Sequence, residues 1–245
     1  MKNSIVGTAI VTGGSRGIGR AIAQELASMG YNLLLVAKDS NRLKKTAEEI
    51  SKGTDVKIDL LPCDLSKTAD IDALYEFCVS KKIIPDVLVN NAGIYVPGTT
   101  KESPIREYDN IMSVNARSMF YLTQKIMPLL KKGHNQRVIV ISSVWALDSY
   151  PADGNEDGTI YAISKWAVRG WSRSLRAELR KHNIGVSTIY PGAVFTDEWK
   201  GTTRPKENFI KPEDIGKVVR AILETSPQTV IEEVILRPIG GDFHE

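Results

Sequence analysis

Thr8-Ala9-Ile10-Val11-Thr12-Gly13-Gly14-Ser15-Arg16-Gly17-Ile18-Gly19-Arg20 is the stretch that decides how this chain folds. Thr8–Thr12 is a short apolar run and reads as a buried strand. Glycines follow at once, spaced Gly13-x-x-x-Gly17-x-Gly19, and a helical pattern runs from Gly17 to Met29. Glycine lets the backbone turn sharply between strand and helix. It also lets a pyrophosphate approach the helix start, where free amides and the helix dipole favour anions. The same residues can be read as a plain tight turn; their place directly after the first strand favours the anion-binding loop.

Outward from this loop, short apolar runs alternate with longer helical patterns. The runs are Thr8–Thr12, Asn32–Ala37, Val56–Cys63, Val87–Asn90, Val138–Ser142, Val186–Tyr190 and Val230–Leu236. The helical patterns are Gly17–Met29, Ser40–Ser51, Ser66–Ser80, Pro104–Leu130, Thr159–His182 and Pro212–Thr225. Strands separated by helices predict β-α-β units, and so an α/β, Rossmann-like doubly wound parallel sheet of about seven strands with helices on both faces. No repeat and no low-complexity linker interrupts it, so residues 1–245 read as one domain. Irregular segments at Asp148–Gly158 and Thr196–Lys211 each follow a strand's C-terminal end, where open α/β sheets place their ligand crevice.

Composition excludes several function classes. A net charge of +3 is too small to argue for nucleic acid or a membrane surface. Cys63 and Cys78 do not form C-x-x-C and the three histidines are scattered, so no metal site is expected. Reduced structural cysteines and the lack of a long apolar segment point to a cytoplasmic protein.

Two further features carry chemistry. The second strand ends in Ala37-Lys38, where dinucleotide-binding folds that take NAD place an acidic residue on the ribose hydroxyls. Lys38, with Arg16 from the glycine loop, suits a 2′-phosphate instead, hence NADP(H). Tyr161 and Lys165 stand four residues apart, eighteen positions after Ser143. A helix puts such a pair on one face. A cation beside the phenol favours its ionised form, which makes tyrosine a usable proton donor to a carbonyl or a base toward an alcohol. A second copy of the spacing, Tyr121 and Lys125, has no strand just before it and reads as a structural tyrosine with a solvated lysine.

Together these residues resemble the short-chain dehydrogenase/reductase family from Thr12 to about Thr196. The loop matches T-G-x-x-x-G-x-G, with Gly13, Ser15, Arg16, Gly17, Ile18 and Gly19 at the cofactor. Asp64 and Leu65 match the strand end that meets the adenine, and Asn91, Ala92 and Gly93 match the N-N-A-G turn. Pro191, Gly192, Val194 and Thr196 match the turn that holds the nicotinamide carboxamide. Asn115, Ser143, Tyr161 and Lys165 match the family's catalytic set. The resemblance implies hydride transfer between a nicotinamide and a carbonyl or secondary alcohol. In it, Ser143 fixes the carbonyl oxygen and Tyr161 gives it a proton. Lys165 lowers the tyrosine pKa and holds the nicotinamide ribose, and Asn115 anchors a water that refills the proton.

Two departures from the family pattern bear on substrate. The stretch between Ser143 and Tyr161 is longer than usual and carries Asp148, Asp153, Glu156 and Asp157. It reads either as an exposed lid that favours neutral or cationic carbonyl compounds over acidic acyl-carrier proteins, or as a surface bulge with no contact to substrate. The C-terminal Leu236-Arg237-Pro238-Ile239-Gly240-Gly241-Asp242 replaces the V-D-G-G ending of 3-oxoacyl-acyl-carrier-protein reductases. That looks more like relatives acting on small 3-hydroxy acids, or sepiapterin reductases. Trp145, Leu147, Tyr150, Phe195 and Trp199 either line an apolar cleft or pack their loops. A non-enzymatic NADP(H) sensor reuses the fold without the chemistry, and would have no reason to keep all four catalytic residues. The resemblance also implies a homodimer or homotetramer, built from the helices at Pro104–Leu130 and Thr159–His182. Trp166, Val168, Trp171, Leu175 and Leu179 give the second more apolar surface than one buried stripe needs, which either pairs with another copy or packs inside one subunit.

Overall fold

The computed structural model describes residues 6–147 and 158–241, with only the backbone described at Glu198. The acidic stretch read above as a lid, with Tyr150, lies outside the described residues. The strands are β1 (Gly7–Thr12), β2 (Tyr31–Ala37), β3 (Ile58–Pro62), β4 (Val87–Asn90), β5 (Arg137–Ile141), β6 (Gly185–Pro191) and β7 (Glu233–Leu236). The helices between them are α1 (Gly17–Ser28), α2 (Ser40–Ser51), α3 (Thr68–Ser80), α4 (Ile105–Met112), α5 (Ser118–Leu130), α6 (Thr159–Arg180) and α7 (Pro212–Leu223).

All pairings are parallel and the order is β3-β2-β1-β4-β5-β6-β7, a Rossmann-like α/β sheet of seven strands. Alternation along the strands divides the core. Ala9, Val11, Ile139 and Ile141 face one layer with Ile22, Leu26 and Leu43, together with Ile215 and Val219. Ile10, Val138 and Val140 face the other with Leu74, Leu122, Val168 and Leu175. Helices α1, α2 and α7 thus cover one face, and α3, α5 and α6 the other. Because β1 lies between β2 and β4, the chain winds away from it in both directions. This opens a crevice at the C-terminal ends of β1 and β4.

Two expectations are corrected. The pattern Pro104–Leu130 is not one regular helix: Ser113–Arg117 forms a π-turn between α4 and α5, with Asn115 buried at its centre. The seventh strand starts at Glu233 rather than Val230, because its ladder with β6 begins only at the pair Thr188 and Glu233.

Candidate active site

Thr12 closes β1 and fastens the crevice. Its hydroxyl donates to the Val89 carbonyl at 3.0 Å and accepts from the amides of Asn91 at 2.9 Å and Ala92 at 3.1 Å. The Asn91 side-chain amide donates back to the Thr12 carbonyl at 2.8 Å. The glycine loop is therefore braced from behind by the turn after β4. Gly13 and Gly17 adopt positive φ of 64° and 51°, a region that favours glycine. A Cβ on Gly19 would lie 2.2 Å from the Gly13 carbonyl oxygen, so only glycine fits. Helix α1 begins with no side-chain cap on its amides and no acidic residue in its first turn. A cradle that a Cβ would fill, above uncapped amides, fits a pyrophosphate.

One cavity of about 640 Å³ opens over this loop. Gly13, Ser15, Arg16, Gly17, Ile18 and Gly19 line it, with Lys38, Asp64, Leu65, Asn91, Ala92, Gly93 and Thr196. Tyr161 and Lys165 line its far end. Of the β6 turn, Pro191, Gly192 and Val194 stand behind Thr196 rather than in the wall. The Gly192 amide donates to the Leu236 carbonyl at 2.7 Å, and Val194 bridges to Ile210. Phe195 and Trp199 stack edge-on against Phe209 at 5.4 and 4.9 Å, so they pack their own loop.

The Tyr161 ring lies between Tyr95 and Trp145, edge-on at 5.2 and 6.1 Å. The Lys165 ammonium sits 5.4 Å from the centre of that ring and donates to the Ile141 carbonyl at 3.4 Å. Lys165 is buried, at 4 % exposure. Asn115 ties the region together. Its carboxamide accepts from the Ile94 amide at 2.8 Å, donates to the Ile94 carbonyl at 2.9 Å, and donates to the Ser164 hydroxyl at 3.0 Å. The Ser164 hydroxyl in turn donates to the Tyr161 carbonyl at 2.7 Å. The π-turn aims Asn115 between the loop after β4 and the first turns of α6, a common placement for such turns at functional sites. Ser143 stands just past β5, where its hydroxyl accepts from the Trp145 amide at 3.3 Å and caps the single turn Val144–Ala146. Its neighbour Ser142, not Ser143, lines the cavity, and the buried Ser142 hydroxyl has no hydrogen-bond partner among the described residues.

At the other end, the Lys38 ammonium is 3.0 Å from Asp64. Burial opposes ionisation of Asp64, but hydrogen bonds from Ser66 and Lys38 outweigh it and hold the carboxyl below its usual range. Arg42 and Asp197, which the sequence reading passed over, also line the cavity. Arg42 stands in the first turn of α2, three residues past the cap Asp39, which is its only signal in the sequence. Cys63 lines the wall as well; burial first, then Asp70 and Asp64, push its thiol up to about 12, which makes it a poor nucleophile at neutral pH.

The second tyrosine–lysine pair lies outside this cavity. The Tyr121 hydroxyl donates to Asp72 at 2.8 Å, and Lys125 is 2.7 Å from the same carboxylate. The bond to Asp72, and then burial, push the Tyr121 phenol up, the opposite of what proton transfer needs.

The sequence profile of the family described as short chain dehydrogenase matches residues 7–207. A sepiapterin reductase of Chlorobaculum tepidum is 33% identical, over 96% of this chain and 98% of that protein. A 3-oxoacyl-[acyl-carrier-protein] reductase of Aquifex aeolicus is 30% identical over 96% of each. Among solved structures, an alcohol dehydrogenase from the archaeon Thermococcus sibiricus, complexed with 5-hydroxy-NADP, superposes with a TM-score of 0.85. It is 29% identical, over 95% of this chain and 97% of that one. A metagenomic short-chain oxidoreductase in complex with NADP gives 0.80 at 32% identity, over 95% and 96%. With a glycine loop, a braced crevice and a tyrosine–lysine pair in one cavity, and a profile match over most of its length, the chain belongs to the short-chain dehydrogenase family, oxidoreductases that use a nicotinamide cofactor.

Proposed function

We propose that this protein, one domain throughout, transfers hydride between NADP(H) and a carbonyl compound or secondary alcohol, with Tyr161 as the acid or base. One observation carries the reading: a single cavity joins the glycine loop and its basic rim to Tyr161 and Lys165. The glycine loop and α1 amides would take the pyrophosphate, Asp64 and Leu65 the adenine, and Thr196 with the turn at Pro191–Val194 the carboxamide. The nicotinamide supplies the hydride. Lys165 holds a positive charge beside the phenol, and Tyr161 moves the proton to or from the substrate oxygen. Ser143, one residue past the cavity wall and capping the turn Val144–Ala146, would orient that oxygen by turning its hydroxyl toward it. Asn115, bonded to the Ile94 backbone and to Ser164, keeps the first turns of α6 in register with the turn after β4.

The substrate is a small carbonyl compound. The acidic stretch beyond Ser143 favours a neutral or cationic one, such as the pterin ketones implied by the likeness to sepiapterin reductase, over a 3-oxoacyl thioester on an acidic carrier. A panel of such ketones and thioesters, read by NADPH oxidation, tests this. Turnover of ketones is expected; tight NADPH binding with no turnover of any carbonyl favours the sensor reading. Cofactor choice is checked in the same assay. Lys38, Arg16 and Arg42 each offer the 2′-phosphate a charge-assisted bond worth about 1.5–3 kcal/mol, so NADPH should bind at least ~10-fold tighter than NADH. Lys38→Asp should weaken NADPH far more than NADH, and equal affinities in the wild type rule the preference out.

The same reading includes a homodimer or homotetramer. Phe120 on α5 and Ile163 and Trp166 on α6 are exposed by 51%, 41% and 44%. Gly170, one turn beyond Trp166, leaves open space where a neighbouring helix could approach. Val168, Leu175 and Leu179 are instead buried in this chain's own core, with Trp171 packed partly against it. Light scattering at micromolar protein should give a multiple of 27.1 kDa, and a monomer refutes the assembly.

A further inference from the structure

Asp197 has no role in the family reading, yet it holds together the basic rim of the cavity. One of its carboxylate oxygens, Oδ2, faces two guanidinium groups from different elements: Arg42 of α2 at 3.7 Å and Arg16 of the glycine loop at 4.0 Å. The other, Oδ1, faces Lys200 at 3.5 Å. All four side chains are substantially exposed, and Asp197, Arg16 and Arg42 line the cavity. The segment that carries Asp197 is seated on the loop itself, since a Cβ on Gly17 would come within 3.2 Å of the Thr196 methyl. Across this end of the cavity the charges cancel. Arg16, Lys38 and Arg42 are matched by Asp39, Asp64 and Asp197. Each of the three cations is thus already held by a carboxylate.

Two guanidinium groups converging on one anionic oxygen form an arrangement that takes a phosphate. A single carboxylate at 3.7–4.0 Å in contact with water is held loosely. We propose that Asp197 is an internal stand-in for a phosphate of the dinucleotide. It occupies Arg16 and Arg42 in the free protein, gives way when the cofactor binds, and is left paired with Lys200. Asp197 therefore lowers the affinity for phosphate on purely competitive grounds, and it couples cofactor binding to the segment that follows β6. Trp199, two residues on, packs edge-on against Phe209 at 4.9 Å, so the displaced carboxylate and this aromatic cluster belong to one segment.

The inference rests on the proposed NADP(H) site, and calorimetric titration without substrate separates the two. Wild type, Asp197→Asn, Arg42→Gln and the double variant are each titrated with NADP+ and with NAD+. Asp197→Asn is expected to bind NADP+ about threefold to tenfold tighter than wild type. A gain confined to NADP+ identifies the 2′-phosphate as the competitor; an equal gain for NAD+ identifies the pyrophosphate. The gain should vanish in the Arg42→Gln background, because the coupling runs through that guanidinium. Unchanged or weaker binding by Asp197→Asn overturns the proposal. So does the same gain with and without Arg42, which marks a general field effect. Wild type that binds neither dinucleotide overturns the cofactor site itself. Asp197→Ser serves in the same cycle if the Asn variant melts early.

Discussion

Tyr161→Phe is expected to lower turnover at least ~10²-fold while NADPH binding stays intact. The substitution removes one hydroxyl and keeps the ring that packs between Tyr95 and Trp145 at 5.2 and 6.1 Å. Lys165 also keeps its bond to the Ile141 carbonyl, which does not involve the phenol. The loss would therefore report proton transfer and not a collapsed site. Tyr121→Phe is the matched control, with the same spacing to a lysine. It gives up a hydrogen bond to Asp72 outside the cavity, so a slightly lower melting temperature with near-normal turnover is expected. Equal losses in the two variants would mean that the wrong tyrosine, or the wrong mechanism, has been assigned.

Gly19→Ala should abolish dinucleotide binding and destabilise the fold. The added carbon would sit 2.2 Å from the Gly13 carbonyl oxygen and 2.5 Å from the Asn91 side-chain nitrogen. Neither can move freely: Asn91 is anchored to the Thr12 carbonyl, and Thr12 is anchored to the turn after β4. Overpacking of this kind costs about 1–3 kcal/mol, and the shifted loop would close the approach to the α1 amides. At Gly53 an added Cβ meets nothing within 4 Å, so Gly53→Ala should change neither melting temperature nor affinity. Calorimetry and thermal melts on the two variants check this, and normal NADPH affinity in Gly19→Ala would contradict the proposed loop.

The parts of this architecture that follow from local pattern were readable in the chain. The run Thr8–Thr12 and the glycines after it gave β1, its turn and the start of α1, because strand burial and backbone freedom are properties of neighbouring residues. Tyr161 and Lys165 share a helix, so their spacing placed them together, and the strand context set apart Tyr121, which does not line the cavity. What stayed hidden depends on contacts across the fold. The π-turn at Asn115 inserts one residue into a helix whose apolar pattern continues on both sides, so nothing in the pattern Pro104–Leu130 marks it. Arg42 and Asp197 meet at the cavity rim from positions 155 apart in the chain. Phe195 and Trp199 were equally readable as cleft or packing until Phe209, on the far side of the same segment, turned up as their partner.

Isotope transfer reaches the proposed function most directly. The protein is incubated with a ketone that it reduces and with NADPH carrying deuterium at both C4 positions of the reduced nicotinamide. The alcohol is then analysed by mass spectrometry. Hydride transfer in this cavity predicts one deuterium on the carbinol carbon, formed by the wild type and by Tyr121→Phe but reduced at least ~10²-fold in Tyr161→Phe. An alcohol without deuterium on that carbon, or one formed equally well by Tyr161→Phe, would contradict it.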